Sequence, residues 1–235
     1  SAGENTVCVF GIESAGPGSN TLLACQTVTL PLGAPPFEPG TCEAGTGNGP
    51  FRDVPAQHQF CRPIEWLVEA GLSSGFADGA FRPTSPVSRQ AVAAFLHRLA
   101  GEPASGVSEP FFADVPQSHP FYTPIQWMAE SGLSTGTPQG GGQKPLYKPN
   151  DEVSRQAMGA FLYRFAGEEP VFLTEQFFAD VLQNHPFYTP IQWMAQTGLS
   201  TGTEQGFGLK PLYKPVDPVS RQAMAAFLFR FDDYL

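Results

Sequence analysis

The sequence predicts a mainly α-helical fold, three tandem helical repeats preceded by a small β-hairpin. Three observations predict it. Val-Ser-Arg-Gln-Ala occurs at residues 87–91, 153–157 and 219–223, each time opening a segment with apolar residues at i, i+3, i+4 and i+7. A longer phrase, His-Pro-Phe-Tyr-Thr-Pro-Ile-Gln-Trp-Met-Ala, begins at His119 and again at His185. Residues 1–48 differ from everything after them, with β-type runs at 6–12 and 21–30 around a Gly/Pro/Ser turn. Anchored on Phe-x-Asp-Val at Phe51, Phe112 and Phe178, the repeats span residues 49–104, 105–170 and 171–235.

Each repeat is expected to hold two helices. In the second, the stripes are Val92, Phe95, Leu96, Leu99; Met158, Phe161, Leu162, Phe165; and Met224, Phe227, Leu228, Phe231. One amphipathic helix cannot bury such a stripe alone, so the three copies should pack together. Ser88, Ser154 and Ser220 are N-cap candidates, and the preceding Val is placed for a hydrophobic staple. The first helix has Thr123-Pro124 or Thr189-Pro190 at its expected start, Thr as N-cap and Pro at the first helical position. Repeat one has Arg62-Pro63 there. Gly71, Gly132 and Gly198 are its expected stops. The connecting loop is residues 75–83 in repeat one but 136–149 and 202–215 in the others, five residues longer.

Composition bounds the class. Hydrophobic content of 41% supports a core, while 25 Gly and 24 Pro in 235 residues imply many short, fixed loops. A net charge of −9 argues against nucleic acid as a partner. No run of about 20 apolar residues is present, so no membrane insertion is expected. Cys8, Cys25, Cys42 and Cys61 lack zinc-site spacing. They read as two disulfides and an extracellular address. Cys8–Cys25 and Cys42–Cys61 are favoured among three pairings, with four free thiols as the alternative.

Phe-x-Asp-Val-Pro-x-x-His, then Gly-Leu, then Gly-Phe-Ala-Asp-Gly-Ala-Phe-Arg-Pro at 75–83, then Val-Ser-Arg-Gln-Ala resembles the S-layer homology family over residues 51–235. The resemblance implies a pseudo-threefold trimer within one chain, a central three-helix bundle with three prongs. It also implies a monomer that anchors an exported protein at the cell surface. The implied ligand is an acidic secondary cell-wall polysaccharide, often pyruvylated, held in grooves between repeats by the motif arginines, here Arg89, Arg155 and Arg221. Two departures stand out. Ala91, Ala157 and Ala223 replace the family's motif Glu, and Gln59, Pro120 and Pro186 replace its Trp after the His.

The residues themselves support candidate sites with alternatives. Arg89, Arg155 and Arg221 fall at the positive end of a helix dipole, where a cation is slightly unfavourable. Either an anionic ligand or a carboxylate of Asp53, Asp114 or Asp180 completes such a place. Arg82, Lys148 and Lys214, seven residues earlier, are second cations for the same anion, or solvated loop charges. Trp66, Trp127 and Trp193 lie roughly 100° off the core stripe of the first helix. They are sugar-stacking platforms or contacts to a neighbouring repeat. Tyr147 and Tyr213 carry the same two readings. His58, His119 and His185 read as turn histidines rather than a metal site, and no cofactor is expected. Paired catalytic carboxylates, nucleophile motifs and a phosphate loop are missing from the sequence, so a non-enzymatic binding module is expected. A protein–protein scaffold that has lost the glycan is the competing class. Repeats two and three are expected to form the most alike half-sites, with repeat one more structural.

Overall fold

The computed structural model describes residues 3–11, 21–30, 42, 49–106, 109–168, 171 and 175–235. The chain divides into two compact units, Ser1–Pro36 and Phe37–Leu235. In the first, β1 (Gly3–Gly11) pairs antiparallel with β2 (Thr21–Leu30), with a register shift between Val9 and Phe10. The register sets Cys8 opposite Cys25. Their side chains, and so the expected Cys8–Cys25 bond, lie outside the described residues.

The second unit holds α1 (Cys61–Glu69), α2 (Arg89–Leu99), α3 (Tyr122–Glu130), α4 (Arg155–Phe165), α5 (Tyr188–Gln196) and α6 (Arg221–Tyr234). This is two helices per repeat. Helices α2, α4 and α6 begin at the motif Arg, as the pattern predicts. The first helices begin earlier than expected, at Cys61, Tyr122 and Tyr188, after Phe60, Phe121 and Phe187. Pro124 and Pro190 therefore sit at the third helical position, where a missing N–H still costs nothing. The stops are as read: Gly71, Gly132 and Gly198 take φ of 70°, 73° and 73°.

The helices in most extensive contact belong to different repeats. Helix α3 packs on α2, α5 on α4, and α1 on α6, so the last repeat closes back onto the first. A backbone relay repeats that order. Val87 N–H donates to Val219 O, Val219 N–H to Val153 O and Val153 N–H to Val87 O, at 2.8–3.0 Å. Val87, Val153 and Val219 are each about 1% exposed or less, so these staple residues are core. Helices α4 and α6 also meet through side chains, Phe165 and Phe231 lying 5.4 Å apart edge to face. Leu96, Leu162 and Leu228 are fully buried. Each such side chain contributes about 2 kcal/mol or more by leaving water.

The expected Cys42–Cys61 disulfide is present, joining residue 42 to the first residue of α1 within the second unit. Residue 42 lies in the sequence segment 1–48, and the bond fastens it to repeat one. Cys61 occupies the place of Tyr122 and Tyr188.

Candidate functional site

The Phe-x-Asp-Val motif makes the loop before each second helix. Asp53 accepts the Phe81 and Arg82 N–H groups, Asp114 those of Tyr147 and Lys148, and Asp180 those of Tyr213 and Lys214, all at 2.7–2.8 Å. The second residue of each pair is a cation held at left-handed φ: 58° for Arg82, 59° for Lys148 and 58° for Lys214. An L residue adopts that region only when its surroundings enforce it. Here the carboxylate does so. Burial alone would raise the Asp53 pKa, but the Phe81 and Arg82 amides outweigh it and hold the carboxyl below its ordinary value. The three Asp are thus loop clamps. They are not partners of the motif arginines, which make no ion pair within 4.0 Å among the described residues.

Each motif Arg instead reaches into the next repeat. Arg89 Nε donates to Tyr147 O at 2.6 Å, and an Nη to Ser134 Oγ at 3.4 Å. Arg155 repeats this with Tyr213 O and Ser200 Oγ. Arg221 Nε donates to Phe81 O at 2.7 Å. The helix-start amides cross the same junctions: Arg89 N–H to Asp151 O, Arg155 N–H to Asp217 O and Arg221 N–H to Ser85 O. Only Ser220 makes the predicted hydroxyl cap, to Ala223 N at 3.3 Å. Ser88 and Ser154 make none. Neighbouring-repeat carbonyls cap these helices, which local sequence could not reveal.

Several expected platforms are corrected. Tyr147 and Tyr213 are fully buried, each hydroxyl donating to the carbonyl of Arg89 or Arg155. Burial pushes both phenols well above their ordinary pKa. Neither can stack on a sugar. Trp193 is also fully buried, ringed by Tyr163, Phe231 and Tyr234. Trp127 is half-buried against His97 of repeat one and Phe165, and Trp66 against Phe229 of repeat three. All three Trp pack between repeats, the duller of the two readings. Arg82, Lys148 and Lys214 are exposed. His58, His119 and His185 each accept an N–H from the Phe two residues on, through Nδ1 at 3.1 Å. They are turn residues.

Sequence reasoning missed two further sets. Arg98, Arg164 and Arg230, nine residues after each motif Arg, donate to Leu72 O, Leu133 O and Leu199 O of their own repeats. That recurrence was the available signal. Gln126 and Gln192 are fully buried and bracket the incoming chain, accepting from Phe111 or Phe177 N–H and donating to Glu109 or Glu175 O. A cavity of about 410 Å³ opens at the other end of α2 from Arg89, beside His97, Arg98, Phe121 and Thr123.

Helices bonded to their neighbours in cyclic order, with an arginine crossing every junction, describe a repeat module. Residues 50–93 and 111–158 match the family described as S-layer homology domain, in the first two repeats. An S-layer protein of Bacillus thuringiensis subsp. finitimus is 31% identical over 113 residues, covering 48% of this chain and 13% of that protein. The S-layer protein sap of Bacillus anthracis gives the same values. An S-layer protein of Bacillus licheniformis is 26% identical over 183 residues, covering 76% of this chain and 19% of that protein. The chain thus spans less than a fifth of the curated relatives it matches. These matches indicate a cell-surface or cell-wall location and support an anchoring role.

Proposed function

We propose that the chain is a non-enzymatic module that holds its parent protein to the cell wall by binding an acidic wall polysaccharide between repeats. In this reading residues 171–235 are a third S-layer homology repeat, and the monomer is pseudo-threefold about α2, α4 and α6. The observation that carries it is the cyclic seating of Arg89, Arg155 and Arg221, each a guanidinium at a repeat junction with a second cation exposed on the adjoining loop. Guanidinium groups in that setting suit a carboxylate or phosphate, pyruvylated sugars included. All 13 Lys and Arg fall after residue 48, so a chain of −9 net charge still offers local positive sites.

Burial of Tyr147, Tyr213 and Trp193 favours the second reading, a protein-binding scaffold of the same fold, because it removes the expected sugar-stacking rings. Co-sedimentation with cell walls decides between them. Binding that disappears after acid extraction of the wall polysaccharide is expected. Binding that survives extraction shifts the assignment to a protein or peptidoglycan partner.

A further inference from the structure

The two long connecting loops fold into matching fingers that differ at the tip. In repeat two Thr137 and Leu146 exchange both backbone hydrogen bonds, at 2.7 and 2.9 Å, and in repeat three Thr203 and Leu212 do so at 2.8 and 2.9 Å. Gln139 and Gln205 tighten the fingers by donating through Nε2 to Lys144 O and Lys210 O. The Lys144 and Lys210 ammonium groups bond Pro110 O and Gln176 O, fixing each finger to the start of its repeat. Each tip is a four-residue turn, closed by Gln143 N–H to Gly140 O in repeat two and by Leu209 N–H to Gly206 O in repeat three. At the corner of the turn repeat two has Gly141 and repeat three has Phe207. Gly208 follows at φ 77°, the left-handed place that such a turn reserves for glycine.

Phe207 is 108% exposed, as open as in an extended free chain, with glycine on either side. The other exposed phenylalanines among the described residues, Phe76, Phe111 and Phe177, are 36–44% exposed, and each lies against a neighbour: Arg82, Phe112 and Phe178. Phe207 is thus a ring with both faces open, carried on a base that is tied down at several points. The size of the tip decides what fits it. An aromatic side chain covers about 150–250 Å², so Phe207 with Leu209 falls well short of the roughly 800 Å² a side that a stable protein interface takes. A sugar needs only one aromatic face, because the slightly positive C–H bonds on one side of a pyranose rest on the negative face of the ring. Glu204 and Gln205, exposed on the same finger, add side-chain oxygens that accept from sugar hydroxyls.

Building on the glycan reading above, we infer that the repeat-three finger is a further carbohydrate contact, with Phe207 stacking on the C–H face of a sugar ring of the wall polysaccharide. It takes an uncharged pyranose face, apart from any acidic substituent held elsewhere. Repeat two has no such contact, since Gly141 offers no ring. Phe207 supplies the aromatic platform that Tyr147, Tyr213 and Trp193, being buried, do not.

Co-sedimentation of the full chain with native cell walls, as a function of protein concentration, tests this with three variants at one exposed position. Phe207→Ala should weaken binding about fivefold without moving the melting temperature. Phe207→Leu keeps an apolar tip but no flat face, and should bind as poorly as Phe207→Ala. Phe207→Trp should bind at least as well as the parent chain, and its new indole fluorescence should shift saturably with short fragments of the wall polysaccharide. Full affinity in Phe207→Ala, or an indole that does not respond, overturns the assignment. So does a Phe207→Leu that binds like the parent, which would point to an apolar or lipid surface in place of a sugar. In each of these cases the glycan reading stands if binding still disappears after acid extraction of the polysaccharide. Binding that survives extraction yet still depends on Phe207 removes both readings together.

Discussion

Repeats one and three carry the same backbone frame but complete it with different side chains. In repeat three the long loop buries Tyr213, which bonds Arg155 O, and Gln192 fastens the entering chain. In repeat one the loop is short, Phe81 stands where Tyr213 does and offers no hydroxyl, and Glu65 replaces the buried glutamine. Glu65 is partly exposed and pairs with Arg62 at 3.0 Å. A covalent tie, Cys42–Cys61, stands in that repeat at the place of Tyr188. The difference teaches that the Asp clamp, the valine relay and the Arg-to-carbonyl bond define the frame, because all three repeats share them. The remaining polar fastenings are local, and repeat one has exchanged several of them for a disulfide and a cluster of arginines.

Variants can break this contrast, beginning with the largest effect. Cys42→Ala with Cys61→Ala should destabilise the second unit by about 3 kcal/mol, the loop-closure value for a separation of this size. Urea unfolding measures it, and a loss near zero would show that the disulfide carries no share of repeat one's stability. Gln192→Leu leaves one buried amide and one carbonyl unpaired and should cost about 2 kcal/mol. Glu65→Leu at the matching place of repeat one should cost under about 0.5 kcal/mol, since an exposed pair is worth little. Equal losses at the two positions would erase the distinction.

A smaller effect is expected from Tyr213→Phe, about 1 kcal/mol for one buried hydrogen bond. The same change at Tyr147 should match it, seen as two equal drops in melting temperature. The smallest is acid dependence at Asp53. Its folded pKa is depressed, so its contribution is present above the unfolded value of about 4 and disappears as pH falls through the lower folded value. Asp53→Asn should flatten the fall in melting temperature below about pH 4. An unchanged acid limb would mean that the clamp does not discriminate between the carboxyl's charge states.

Much of this frame was legible in the sequence because it is periodic. Stripes such as Met158, Phe161, Leu162 and Phe165 place α4 within a residue, and Gly71, Gly132 and Gly198 mark stops that only a left-handed residue fills easily. What stayed hidden is contact between repeats. Sequence placed Arg155 at a helix start, but not that its guanidinium crosses to Tyr213 O and Ser200 Oγ. Beside Lys214, Tyr213 carries two readings in the sequence, a sugar platform or a contact to a neighbouring repeat. The Asp180 clamp, with Lys214 at a left-handed φ of 58°, leaves Tyr213 buried and Lys214 in solvent. Trp193 lay off its own helix's stripe, and a neighbouring repeat covers it. In repeat one, whose expected role is the more structural, the short loop brings Phe76 to 4.8 Å from the Arg221 guanidinium carbon, a contact the repeat pattern does not show.

The most direct test is binding itself. Calorimetric titration of the full chain with short acidic fragments released from the wall polysaccharide measures it. Saturable binding, weakened at least tenfold when Arg89, Arg155 and Arg221 are all changed to Lys, is the predicted result. No saturable heat, or full affinity in the folded triple variant, would contradict the account.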